Sequence, residues 1–284
     1  MNRAVLRAAR NTRVLGGQSV RVLNNWLYCL GLLGIVAAIE LSGVLPSGAL
    51  ATAVPLGVFV VGLFVLYKQL TRGVVRNNQA VALLEANDVD GANRVFAALA
   101  HGFHTRTLAA VSLYNLSFSM MRRGEFADAA ALARAAIEVQ GDRSRSALTS
   151  APHHALYAMA LACVGSLDEA VTEMARLESP GATVFTRASV VRTRAFVAFR
   201  QGHFEETLSI LRASRALLRN TMHGWNAALV DALESESVAR LGGAYRGSAA
   251  RPSGLPYDTE ARSLVARLIP GATTALLARE SVAA

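Results

Sequence analysis

Residues 113–136 read LYNLSFSMMRRGEFADAAALARAA. An apolar-periodic run closes on two arginines, a glycine follows, and a second run of alanine and leucine begins. That order predicts two helices joined by a tight turn, because glycine admits the left-handed conformation that ends a helix. The same signature recurs. Asn87-Asp-Val-Asp-Gly-Ala92, Gly124-Glu-Phe-Ala-Asp-Ala129, Gly165-Ser-Leu-Asp-Glu-Ala170 and Gly202-His-Phe-Glu-Glu-Thr207 each place a small residue five positions after the turn residue. A degenerate fifth copy surrounds Gly242, and the turn residues are spaced 37, 41, 37 and 40 apart. A repeat with this period is a stack of helix pairs.

Each position in the repeat has a physical reason. The apolar residue two places after the turn (Val89, Phe126, Leu167, Phe204) fills the gap between the paired helices. The acids that follow favour the positive end of the second helix. The small residue (Ala92, Ala129, Ala170, Thr207) allows a close crossing, and Phe96, Leu132, Met174 and Leu211 follow at core-facing spacing.

Leu113-Tyr114-Asn115-Leu116-Ser117 through Gly124-Glu125-Phe126 to Ala136 resembles the tetratricopeptide repeat (TPR) family: a first-helix Leu and Asn-Leu-small signature, a Gly-x-aromatic turn and second-helix alanines. The resemblance covers roughly 74–247. It departs from the family's period of 34, most visibly at Gln140–Ser150, a charged and serine-rich loop, and Arg194 stands where the family prefers an apolar residue. The fold class expected is all-α: an N-terminal transmembrane helical hairpin followed by a TPR-like α-solenoid over 69–247. An ordinary helical bundle is the rival. In the 248–284 segment, past a Pro/Gly/Ser-rich linker at 248–256, two short amphipathic stretches, Tyr257–Ile269 and Thr273–Val282, are expected to cap the last apolar face of the solenoid.

The hairpin follows from the other end of the chain. The protein has 284 residues, 52% hydrophobic and 17% charged. Its mean hydropathy of +0.32 is concentrated in two 19-residue runs, Leu27–Leu45 and Ala49–Tyr67, within 26–68. Each is about 28 Å long as a helix, close to the hydrocarbon thickness of a bilayer. Pro46-Ser47-Gly48 between them is only long enough to reverse the chain. The basic segment 1–25 carries Arg3, Arg7, Arg10, Arg13 and Arg21, and 68–76 carries Lys68, Arg72 and Arg76, with no acid in either. The positive-inside rule therefore puts both flanks in the cytoplasm, with Trp26, Tyr28 and Tyr67 as interface aromatics. From Asn77 onward the charge is nearly balanced, so the net charge of +9 argues for anionic lipid and not for nucleic acid. A cleaved secretory signal and a mitochondrial presequence are the alternatives. The usage of 28 Arg to one Lys favours a bacterial inner membrane over a mitochondrial one.

No phosphate loop, nucleophile elbow or dinucleotide fingerprint occurs, so neither an enzyme nor a cofactor is expected. His101-Gly-Phe-His104 and His153-His154 lack the further ligands a metal site needs, and Cys29 and Cys163 form no disulfide framework. Function is expected on the inner face formed by the first helix of each repeat. The candidates are Tyr114, Phe118, Met121 and Arg122, then Met159 with Cys163, then Arg192, Phe196, Phe199 and Arg200. Aromatics beside arginines suit a peptide carrying an acidic or C-terminal carboxylate group. The family resemblance adds Asn115 as a backbone contact to a bound segment; the family's Lys-based carboxylate clamp is not reproduced. The expected function is a membrane-anchored cytoplasmic adaptor for a protein partner. The alternative is a structural subunit of a membrane or envelope assembly, with the solenoid as spacer.

Overall fold

The computed structural model describes residue 34 and residues 49–101, 106–141, 147–177, 183–243 and 259–269. The described elements are α1 (Ala49–Glu85), α2 (Val89–His101), α3 (Arg106–Arg123), α4 (Phe126–Gln140), α5 (Ala147–Val164), α6 (Leu167–Ala175), α7 (Val184–Arg200), α8 (Phe204–Ala213), α9 (Arg215–Thr221), α10 (Gly224–Arg240) and α11 (Thr259–Leu268). The described residues are all-α and divide into two compact units, 1–116 with 138–141, and 117–137 with 142–284. In the first, α1 packs on α2. In the second, α5 packs on α6 and α7, α7 on α8, and α10 on α7, α8 and α11. Consecutive helices thus pair as they do in a TPR-like solenoid.

All five turn residues adopt the left-handed conformation: Asn87 at φ 66°, Gly124 at 79°, Gly165 at 97°, Gly202 at 82° and Gly242 at 73°. At Gly124 the amide donates to the Met121 carbonyl and the Glu125 amide to that of Met120; Asn87, Gly202 and Gly242 repeat this pattern. It is the Schellman arrangement, which satisfies the carbonyls that a helix end leaves unpaired. The second helix of each of the first four pairs begins on the gap-filling residue, Val89, Phe126, Leu167 or Phe204.

The small residues do what the repeat requires. Ala92, Ala129, Ala170 and Thr207 are fully buried, and so are Ala80, Ser117, Ala158 and Ala195 at one repeated position of the first helices. Ser117 Oγ donates to the Ala129 carbonyl at 2.7 Å, and Thr207 Oγ1 to the Ala195 carbonyl at 3.4 Å. A hydroxyl can reach a neighbouring helix's backbone only where the two backbones come close.

Several features differ from expectation. Helix α5 starts at Ala147, within the stretch Gln140–Ser150 expected to be a loop, and runs on through Pro152. Pro152 is the sixth residue of the helix, so its missing N–H leaves the Leu148 carbonyl without its usual helical donor. The seven-residue α9 is an unforeseen insertion between α8 and α10. Of the two apolar runs, 27–45 lies outside the described residues except for Gly34, while 49–67 is helical. Helix α1 continues to Glu85, 37 residues in all, crossing the expected 68/69 boundary without a break. Most side chains of 49–67 also lie outside the described residues, and among those described no helix is long and apolar enough to cross a membrane. The linker 248–256 and residues 270–284 lie outside the described residues.

Candidate functional site: the inner helices

The inner-face candidates separate into groups. Met121 and Met159 are 1% exposed and Phe196 is 0% exposed. These three were expected to line a groove; they form the core instead, because the apolar stripe of a stacked inner helix is covered by its neighbours as well as by its own partner. Phe199 is partly exposed, but its ring packs edge-on against Phe204 at 5.5 Å, within its own helix pair. Tyr114 and Asn115 belong to the first unit and are half-buried. The Asn115 side-chain amide donates to Asn77 Oδ1 at 3.0 Å, so it ties two helices of that unit together.

In the second unit three side chains meet. The Phe118 ring lies 5.4 Å from Trp225, tilted by 36°, and the Arg192 guanidinium sits 4.9 Å above the same indole. Trp225, in the first turn of α10, was not among the expected residues. Nothing in its local spacing marks it, because only packing brings α10 beside α3 and α7. Arg192 is 7% exposed. It was expected to be solvated and available for a carboxylate; its stacking on Trp225 makes it part of the packing.

The other arginines cap helix ends. Arg200 Nε donates to the Ala162 carbonyl near the end of α5 at 3.2 Å. Arg267 donates from the C-terminal helix to the Arg122 carbonyl near the end of α3. Both place a cation where orphan carbonyls and the negative end of the helix dipole meet. Beside Arg200, burial pushes the Cys163 thiol up to about 12, with the guanidinium opposing. That thiol is held neutral and unreactive at physiological pH.

A second polar group lies where α5 meets α6. His154 Nδ1 is 2.7 Å from Glu173 Oε2, and Arg176 Nη1 is 2.6 Å from Glu173 Oε1. Glu173 is nearly buried, so two partners compensate its desolvation. Nothing in the spacing of His153-His154 along the sequence marks this link. Among the described residues, no three His, Cys, Asp or Glu side chains are grouped as a metal site.

Comparison with known proteins gives one match. Residues 110–135 match the tetratricopeptide repeat family. They cover α3 from its second turn, the Gly124 turn and most of α4. No curated protein and no solved structure matches the chain. A repeat of this type indicates a scaffold for protein–protein interaction, and such scaffolds are typically non-enzymatic.

Proposed function

We propose that this protein is a membrane-anchored adaptor that recruits a protein partner on the inner helices of its repeats. The matched repeat at 110–135, set among turns of one geometry, is the observation that carries the partner-binding half. The half-buried Phe118 and Arg122 on α3, beside Trp225, supply the aromatic and cationic character that recognition sites favour. The partner's carboxylate is better met by Arg122 than by Arg192, which is stacked away.

The anchoring half rests on the sequence of 26–68 and on α1. Val60, Val61, Phe64 and Tyr67 are each more than half exposed. Lys68 Nζ lies 5.1 Å from the Phe64 ring, and Arg72 and Arg76 follow on the same face of the helix. An apolar stretch ending in an aromatic and a stripe of three cations suits the boundary between acyl chains and anionic headgroups. The reading places both termini on the cytoplasmic side of a bacterial inner membrane.

Three measurements test it. The full chain should stay with membranes through a carbonate wash, and a chain lacking residues 1–76 should not. Reporter fusions at residues 25 and 284 should report the same side; opposite sides would remove the hairpin. Cross-linking of the full chain in membranes should capture a partner, and Phe118→Ala should reduce capture without lowering the melting temperature by more than a few degrees.

A further inference from the structure

The first helices of the later repeats share one register. Helices α3, α5, α7 and α10 begin at Arg106, Ala147, Val184 and Gly224, each 18 residues before its turn residue, Gly124, Gly165, Gly202 or Gly242. The residue 18 positions before Asn87 is Gln69, yet α1 begins at Ala49 and runs unbroken to Glu85. The apolar run 49–67 and the first helix of the first repeat are therefore one rod, with only Lys68 between them. Two side-chain contacts cross that join. Thr71 Oγ1 donates to the Tyr67 carbonyl at 2.9 Å, and Lys68 Nζ lies over the Phe64 ring.

The start of α3 is placed relative to that rod by the hydrogen bond between Asn115 and Asn77. These two helices run the same way, as first helices of consecutive repeats do. Nine residues before Asn77 and Asn115 stand Lys68 and Arg106. Arg106, exposed in the first turn of α3, is thus level with the end of the apolar run. Arg72 and Arg76, also exposed, lie about 6 and 12 Å further along α1. The acids segregate to the other end. Among the described residues of the first unit, Glu85, Asp88 and Asp90 surround the far turn, which begins about 26 Å beyond Lys68. The fourth acid, Glu138, is half-buried in the last turn of α4, at the end that meets Arg106. At physiological ionic strength charges are largely screened beyond about 8 Å, so the far acids do not offset the cations of the near end.

We infer that the near end of the first unit, formed by Lys68, Arg72, Arg76 and Arg106, is a docking surface for anionic phospholipid headgroups, and that α1 holds it against them as a rigid mount. This inference rests on the anchoring half of the proposed function and names the lipid class that the first repeat itself engages. Charge complementarity and continuity with the apolar run select the bilayer surface as the occupant. Guanidinium groups match phosphate oxygens bidentately, and basic side chains beside a membrane are drawn to an anionic leaflet. A flexible linker would let the repeats leave the surface. An unbroken helix fixes their height above it, so the stack begins at the bilayer.

The test uses the full chain in lipid vesicles, in a Cys29→Ser, Cys163→Ala background. A bimane label is placed at Thr107→Cys or Ala82→Cys, and quenching by headgroup-spin-labelled lipid is read. Both positions are exposed; Thr107 adjoins Arg106, and Ala82 lies about 21 Å beyond Lys68 on α1. Position 107 should be quenched at least about twofold more than position 82, since the rod holds only the former at the surface. A short Gly-Ser linker inserted between Tyr67 and Lys68 then separates the surface from its mount. With the linker, quenching at 107 should persist on vesicles containing phosphatidylglycerol and fall at least about threefold on phosphatidylcholine alone. Arg72→Gln with Arg106→Gln in the linker chain should bring the phosphatidylglycerol value down to the phosphatidylcholine one, with helicity unchanged, because exposed arginines add little stability. Equal quenching of the linker chain on both lipids overturns the docking surface. Equal quenching of 107 and 82 without the linker overturns the mount. A chain that floats with vesicles and gives either result keeps its anchor and loses this inference; a chain that does not float loses both.

Discussion

Helices α5 and α7 are the first helices of consecutive repeats and pack against each other. They nevertheless differ sharply. Helix α5 contains no Asp, Glu, Lys or Arg and is buried from Ala155 to Ala162. Helix α7 carries Arg187, Arg192, Arg194 and Arg200 and leaves Val184 and Phe185 more than half exposed at its start. At matching positions Ala155 corresponds to Arg192, Met159 to Phe196, and Cys163 to Arg200. The small residue at the helix crossing, Ala158 or Ala195, is the same, as are Thr149 with Thr186 and Ala151 with Ala188 nearer the helix starts. The crossing is set by the pair itself, so each pair solves it alike. The inner face is set by whatever lies opposite, and that changes along the stack. The charge on α7 serves neighbours: Arg192 lies on Trp225, and Arg200 covers the end of α5.

The comparison can be broken most directly at Phe196. Truncation to Ala should destabilise the protein by about 3–5 kcal/mol, since a fully buried aromatic leaves a cavity. Phe185→Ala, on the exposed start of the same helix, should cost under about 0.5 kcal/mol. Urea denaturation of both variants gives the contrast, and similar losses would mean that α7 has no buried stripe distinct from its exposed one.

The shared crossing predicts a smaller effect. Ala158→Leu and Ala195→Leu should each cost about 1–3 kcal/mol through overpacking. Near-equal losses in thermal melts would support one crossing geometry for both repeats. A large loss at one and none at the other would deny it.

Arg192→Ala sharpens the contrast in role. It should lower stability by about 1–2 kcal/mol, through the loss of a desolvated cation–π contact and of packing by its stem. A solvated arginine would cost almost nothing on truncation, so an unchanged midpoint would return Arg192 to the surface.

Cys163 tests the end of α5. Its thiol is pushed by burial from 9.0 to about 12. In the unfolded chain the thiol ionises above pH 9, whereas in the folded protein it stays protonated until about pH 12. Its contribution to stability is therefore complete below pH 9 and is lost as pH rises across that window. At pH 10 the loss should be about 1 kcal/mol relative to a Cys163→Ala chain. In a Cys29→Ser background, Cys163 should also react slowly with iodoacetamide at pH 8. Labelling as fast as in the urea-unfolded protein would show the thiol exposed.

Much of this architecture is local and was legible in the residues alone. A left-handed turn residue, an apolar residue two places later and a small residue five places later are short-range requirements, and they located Asn87, Gly124, Gly165, Gly202 and Gly242 before any packing was known. The inner face was not legible in that way. Tyr114, Phe118 and Arg122 share a helix face with Met121 nearby, and spacing alone does not say which of them a distant helix will cover. Met121, Met159 and Phe196 were buried by neighbours, and Arg192 was claimed by Trp225, 33 positions further along.

The sequence by itself determined where helices end, which pairs cross and how closely, because those follow from backbone conformation and side-chain size within about 20 residues. The tertiary structure alone decided that residues 155–162 of α5 are covered on every side, that Arg200 and Arg267 sit on the carbonyls of other helices' ends, and that α11 lies against α10 and α3. Those contacts join segments 38 to 145 residues apart. At such separations the repeat's periodicity carries no information, and the choice falls to which surfaces can exclude water together.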